Sequence, residues 1–131
     1  MPDERQEFID GMRRDRGYVF DFHKVMAAED FDWLKSYDAW VRASYVTQRT
    51  LDRKTKELIQ TAVLTALRAN KDQIREHIRV ALQHGATKQE VLETLECVVA
   101  PMGMLNFLVG LQAWGEETGA KRVEPSQQAD H

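Results

Sequence analysis

Between His84 and Glu90 the chain carries a helix stop and a helix start back to back, and no other stretch restricts the fold so closely. Gly85 suits the left-handed conformation that closes a helix. Thr87 and Glu90 have the spacing of a capping box, in which each side chain satisfies a backbone donor of the helix that follows. Asp72–His84 and Lys88–Ala100 are therefore expected to form a tight helical hairpin. The rest of the chain reads the same way, as helix-period segments divided by short punctuation, with no internal repeat and no strand signal.

Met1 to Arg16 reads as one helix with Phe8, Ile9 and Met12 on a weak apolar face, and Tyr18 to Ala28 as a second. Asp30 is the expected N-cap of a third, which repeats Trp33, Leu34, Tyr37, Trp40, Val41 and Ser44 at intervals of three and four. From about Asp52 to Ala69, Leu58, Ile59, Ala62, Val63, Leu64, Ala66 and Leu67 leave a helix apolar nearly all round, the pattern of a central, covered helix. Asn70 ends it. Lys71 to His84 then turns Ile74, Ile78, Ala81 and Leu82 inward, and Pro101 and Gly103 break the chain before a last helix from Leu105 to about Glu117. The expected fold is all-α with about six helices in a single domain over residues 1–120, followed by a polar tail over 121–131.

Composition narrows what such a domain can do. With 131 residues it can bury a core without staples, and a formal net charge of −3 argues against nucleic acid as its main partner. Arg13-Arg14-Asp15-Arg16 reads as a solvated helix end. Cys97 is alone, so neither an intramolecular disulfide nor CxxC redox chemistry is available to it, and its apolar surroundings make a buried, inert thiol the expectation. The acidic opening Met1-Pro2-Asp3-Glu4 does not resemble a leader, which points to the cytoplasm. The uncharged run from Cys97 to Gly115 is interrupted by Pro101, Gly103, Asn106, Gly110 and Gln112, and reads as a buried or interfacial helix rather than a membrane span. The aromatic residues fit core packing first, with some available to line a pocket for a flat ring.

Two stretches resemble the carboxymuconolactone decarboxylase family. Leu51-Asp52-Arg53-Lys54-Thr55-Lys56-Glu57-Leu58-Ile59 is similar to its L-(S/D)-x-(R/K)-x-R-E-L opening, and His77 to Val91 to its H-x-x-x-A-L-x-x-G-x-T-x-x-E-(I/V) segment. Glu93 stands where the family usually carries a further glutamate. The resemblance covers about Thr50 to Gly115 and implies the alkylhydroperoxidase D-like helical fold, with homotrimers or hexamers. Two departures stand out. Residues 69–76, before His77, hold no cysteine where the alkylhydroperoxidase D branch has its CxxC, so thiol peroxidase chemistry is excluded. Ala100-Pro101-Met102-Gly103-Met104 replaces the Y-x-G-x-P turn common in the decarboxylase branch.

His77 flanks the apolar stripe of its helix and can serve as acid or base, or as a core-edge histidine bonded to a backbone carbonyl; the resemblance favours the catalytic role. Glu57 lies in the first turn of the apolar helix, either as a buried carboxylate that orients His77 or as an acid complementing the helix dipole. Lys56, Arg53 and Arg79 are candidates to seat a substrate carboxylate. Glu93 could reach the same pocket or pair with an arginine. His77 and His84, seven apart, lack zinc-ligand spacing, so neither a metal nor a cofactor is expected. His23 has no supporting pattern.

The resemblance implies a cofactor-independent carboxy-lyase of aromatic-compound catabolism, acting on a small unsaturated lactone or cyclic carboxylic acid. Isomerase or hydrolase activity on a related acid, and a non-catalytic oligomeric ligand-binding protein, remain alternatives. Surplus apolar surface on two helices adds a physical reason to expect a homo-oligomer.

Overall fold

Polar caps set where the helices begin. The computed structural model describes residues 3–127, and in it Asp3, Asp30, Asp52, Asn70 and Thr87 each accept a hydrogen bond from a first-turn backbone N–H. The helices are α1 (Glu4–Arg16), α2 (Asp21–Glu29), α3 (Phe31–Val41), α4 (Arg53–Ala66), α5 (Lys71–Gln83), α6 (Lys88–Glu96), α7 (Val99–Met102) and α8 (Met104–Thr118). Among the described residues there is no strand. A π turn over Arg42–Val46 prolongs α3, closed by a hydrogen bond from the Thr47 N–H to the Arg42 carbonyl. The all-α expectation holds, with seven helices of nine residues or more against about six.

The capping box at Thr87 and Glu90 forms in both directions, and Gly85 takes φ +98°, so the α5–α6 hairpin turns where expected. Ile74, Ile78 and Ala81 of α5 pack with Val91 and Leu95 of α6 and with Phe107, Ala113 and Trp114 of α8 into the main core. Burial of each large side chain there contributes roughly 1.5–3 kcal/mol. Val80, on the other side of α5, meets Tyr18, Val41 and Tyr45, while Met12, Ala27 and Leu34 join α1, α2 and α3. Thus α5 stands between the C-terminal core and the N-terminal helices.

Four expectations need correction. The inward residues of α4 are polar: Lys56, Glu57, Thr61 and Thr65 are buried, whereas Ile59, Val63 and Leu67 are exposed. Glu57 pairs with Arg53 and His77, Lys56 donates to the Thr47 carbonyl and Thr61 to the Glu57 carbonyl, so the buried face is not set by the apolar count. Cys97, the residue just past the end of α6, is exposed. Trp33 and Trp40 lie at the surface of α3 rather than in the core. Arg16, read as part of a solvated helix end, is only 2% exposed. Among the described residues no helix is long and apolar enough to cross a membrane.

Candidate functional site

The polar face of α4 is the floor of the site. Arg53 and Glu57, one turn apart, are joined by a 2.9 Å bond from Arg53 Nε to Glu57 Oε1. The other end of the same guanidinium donates to the carbonyls of Asp15 and Arg16 at 3.2 and 2.8 Å. Those carbonyls belong to the last turn of α1, where a cation is favoured by the helix dipole. Arg53 therefore ties α1 to α4 and fixes Glu57 as it does so.

Glu57 has no solvent exposure, and its second oxygen is 2.7 Å from Nδ1 of His77, itself 3% exposed, on α5. A carboxylate only accepts, so the shared hydrogen lies on Nδ1 and Nε2 is left for other work. His77 lines a pocket of about 240 Å³ together with Tyr18, Tyr45, Arg16, His23 and Trp40. The Tyr18 ring stands edge-on to His77 at 5.1 Å, and Tyr45 lies 6.4 Å away on the π turn. Tyr45 is also covered by the Arg53 guanidinium, 5.2 Å from its ring centre. The hydroxyls of Tyr18 and Tyr45 are hydrogen-bonded to each other. Burial pushes both above the ordinary tyrosine range, and for Tyr45 the neighbouring Tyr18 adds to the shift. Both hydroxyls therefore stay neutral donors at physiological pH.

Arg16 and His23, which line the same pocket, belong to a second set of polar groups. Arg16 Nη2 donates to Asp38 Oδ1 at 2.6 Å, and Asp38 Oδ2 accepts from Arg42 Nε at the same distance. Arg42 reaches on to Asp15. His23 Nδ1 accepts the Phe20 backbone N–H at 3.0 Å, which fixes the start of α2. Burial and then the Arg16 charge lower the His23 pKa to about 4, against the opposing pull of Asp38, so the ring is neutral near pH 7.

The structure brings Glu57, His77 and Arg53 together and engages Lys56 and Arg79 elsewhere. Arg53 is bound as described, Lys56 donates to the Thr47 carbonyl at 3.0 Å, and Arg79 bonds Glu76 and the Gly17 carbonyl. None of the three lines the His77 pocket, and neither does Glu93, which is exposed on α6. Arg16, Tyr18, His23 and Tyr45 were not singled out from the sequence. The signal for Tyr18 and Tyr45 was only their aromatic character, and Arg16 was hidden inside a charged run. Among the described residues no three His, Cys, Asp or Glu side chains gather into a possible metal site.

The all-helical scaffold thus sets a buried carboxylate–imidazole pair beside an aromatic pocket, an arrangement able to hold and move a proton. The chain belongs to the carboxymuconolactone decarboxylase family, whose model matches residues 32–116. No curated protein matches it in sequence. Tyr45, Glu57 and His77 fall inside the matched span, whereas Arg16, Tyr18 and His23 precede it.

Proposed function

We propose that the protein is a cofactor-independent carboxy-lyase that, like γ-carboxymuconolactone decarboxylase, acts on a small unsaturated lactone or cyclic carboxylic acid. The observation that carries this reading is the 2.7 Å pairing of His77 Nδ1 with the buried Glu57, which leaves the imidazole of a pocket-lining residue one uncommitted nitrogen. In the reaction the bond to the departing carboxylate breaks and carbon dioxide leaves. The electron pair passes through the conjugated alkene to the lactone carbonyl oxygen, giving a furanolate-like anion. The substrate is its own electron sink, and no electrons are gained or lost. His77 Nε2 delivers a proton to carbon, Glu57 balances the imidazolium before the transfer, and solvent restores the proton. Of the paired tyrosine hydroxyls, one donates to the other, so a single outward hydrogen remains for the developing oxyanion.

The test is turnover of enzymatically generated 4-carboxymuconolactone, followed by ultraviolet absorbance and carbon dioxide release, beside His77→Ala checked for folding by circular dichroism. Turnover that falls about 100-fold or more in a folded variant supports the reading. Undiminished turnover removes His77 from the mechanism. An absorbance change without carbon dioxide makes the protein an isomerase or hydrolase, and no turnover by folded protein favours a non-catalytic ligand-binding role.

The same reading includes a homo-oligomer, a trimer or hexamer by family resemblance. Its support is the outward stripe of Ile59 and Val63 on α4 and Leu67 just past its end, with Met104, Leu105 and Leu108 also exposed on α8. Light scattering on the purified chain tests it, and a monomer at micromolar concentration overturns it.

A further inference from the structure

Arg16 is almost fully buried, yet its Nε has no hydrogen-bond partner. Buried guanidinium N–H groups are normally met, because leaving one bare forfeits its hydration without return. Its Nη1 is no better served. That atom lies 3.4 Å from His23 Nε2, an approach that is a hydrogen bond only if His23 Nε2 accepts. His23 Nδ1 already accepts the Phe20 N–H, and a neutral imidazole accepts at one nitrogen only. The hydrogen of the neutral ring is therefore on Nε2, facing Arg16. Two donors confront each other, a third is unpartnered beside them, and both residues line the His77 pocket.

We infer that Arg16 and His23 form a seat for a ligand carboxylate, which accepts from the Arg16 guanidinium and from His23 Nε2–H and so satisfies the donors that the protein leaves unmet. Both oxygens of Asp38 are already engaged, one by Arg16 Nη2 and one by Arg42 Nε, and neither reaches Arg16 Nε or Nη1. Tyr37 lies 5.7 Å beneath the Arg16 guanidinium and stacks on Trp33 at 5.3 Å, holding the guanidinium against an aromatic wall. Tyr18 lines the same pocket as Arg16, and its ring packs on His77. A flat acid bound at Arg16 thus has its ring alongside the tyrosine hydroxyls and His77. The seat deepens the proposed lyase reading by naming what holds the spare carboxylate, the one that does not leave. Its residues precede the family-matched span, so it is a property of this chain's own N-terminal helices.

The experiment measures binding to the intact protein by calorimetry, with muconolactone as probe and its methyl ester as the neutral counterpart. Muconolactone keeps the spare carboxylate and lacks the one that departs, so no decarboxylation intervenes. The acid is expected to bind wild type at least about tenfold more tightly than the ester. His23→Asn and Arg16→Lys are expected to reduce that preference, and His77→Ala to leave it intact. Because Arg16→Lys disturbs a buried ion pair and can unfold the chain, a second readout uses wild type alone. The His23 ring shows the Nε2–H tautomer by nitrogen-15 NMR, and that proton moves downfield when muconolactone binds but not when the ester does. Equal affinities, binding of neither compound, or a preference that survives in folded Arg16→Lys overturns the seat. A carboxylate preference without decarboxylation keeps the seat and removes the lyase reading. Decarboxylation without the preference does the reverse.

Discussion

Glu57 and His77 are separated by twenty positions in sequence and by 2.7 Å in space, and Arg53 holds the opposite oxygen of the same carboxylate at 2.9 Å. The carboxylate thus answers two donors at once, which no neutral amide of the same shape can do. In Glu57→Gln the one amide oxygen meets either Arg53 or His77, and the amide NH2 faces the other donor. Arg53 keeps its bonds to the Asp15 and Arg16 carbonyls, so the folded state survives. The expected loss is roughly 2–3 kcal/mol, below the figure for breaking a fully buried pair. Under the proposed mechanism, turnover falls about 100-fold or more, because the imidazolium loses its counter-charge. Denaturant unfolding and carbon dioxide release on the same variant measure the two effects. Full activity in a destabilised Glu57→Gln protein would confine Glu57 to a structural role.

The tyrosine pair gives an independent spectroscopic expectation. Burial holds the Tyr18 and Tyr45 hydroxyls above the ordinary tyrosine pKa of 10.0. In an alkaline titration followed by ultraviolet difference absorbance, both residues should therefore be silent near pH 10 until the chain unfolds. Tyr18→Phe and Tyr45→Phe should leave the native-state curve unchanged while lowering stability by about 1 kcal/mol each, since the surviving hydroxyl loses its partner. A native-state amplitude near pH 10 that shrinks in either variant would show that the hydroxyl is in contact with solvent.

What the sequence discloses and what it hides divide along physical lines. Caps are local: Asp30 and the Thr87–Glu90 pair act within one turn, and each is found where its spacing placed it. The apolar stripe of α5 is also legible, because Ile74, Ile78 and Ala81 recur on one face with polar residues opposite. The orientation of α4 is not legible, since apolar residues surround it and only partners from α1 and α5 show why Glu57 points inward. Arg16 and Asp38 are 22 residues apart, and their bond depends on how α1 lies across α3. Nothing in a window around Arg16 separates it from Arg13 and Arg14. The π turn that carries Tyr45 is equally hidden, because one widened turn leaves no mark on the spacing of apolar residues.

Gly110, in the middle of α8, is required by packing rather than by backbone conformation. A Cβ there would lie 2.7 Å from Leu95 Cδ2 and from both Cγ2 and Oγ1 of Thr65. Alanine gains roughly 1 kcal/mol in helix propensity, but overpacking of a tight core costs about 1–3 kcal/mol. Gly110→Ala is therefore expected to lose ~1 kcal/mol net. Thr65→Ala removes two of the three close atoms, leaving Leu95 Cδ2, together with a buried hydroxyl that has no hydrogen-bond partner. On that background Gly110→Ala should cost less than it does in wild type, a coupling that a double-mutant cycle in urea measures directly. Strict additivity of the two changes would place the contact elsewhere.

His23 makes stability depend on pH in a defined window. Its folded-state pKa of about 4 lies below the ordinary 6.5, so between those values the unfolded chain holds more protons at this site than the native chain. The contribution of the buried neutral ring is complete above pH 6.5 and is lost as the pH falls from 6.5 through 4. Asp15, whose carboxyl is lowered chiefly by its hydrogen bond to Arg42, acts below its ordinary 3.8 and so outside this window. At about 1.4 kcal/mol per unit, wild type should lose at most roughly 2–3 kcal/mol through His23 between pH 7.5 and 4.5. His23→Asn can still accept the Phe20 N–H through its side-chain oxygen but has no titration. Its unfolding free energy should be lower than that of wild type at pH 7.5 and should change less down to pH 4.5. Urea unfolding of both proteins at the two pH values decides it: parallel losses would mean that His23 titrates alike in the folded and unfolded chains, and that Arg16 and burial do not hold the ring neutral.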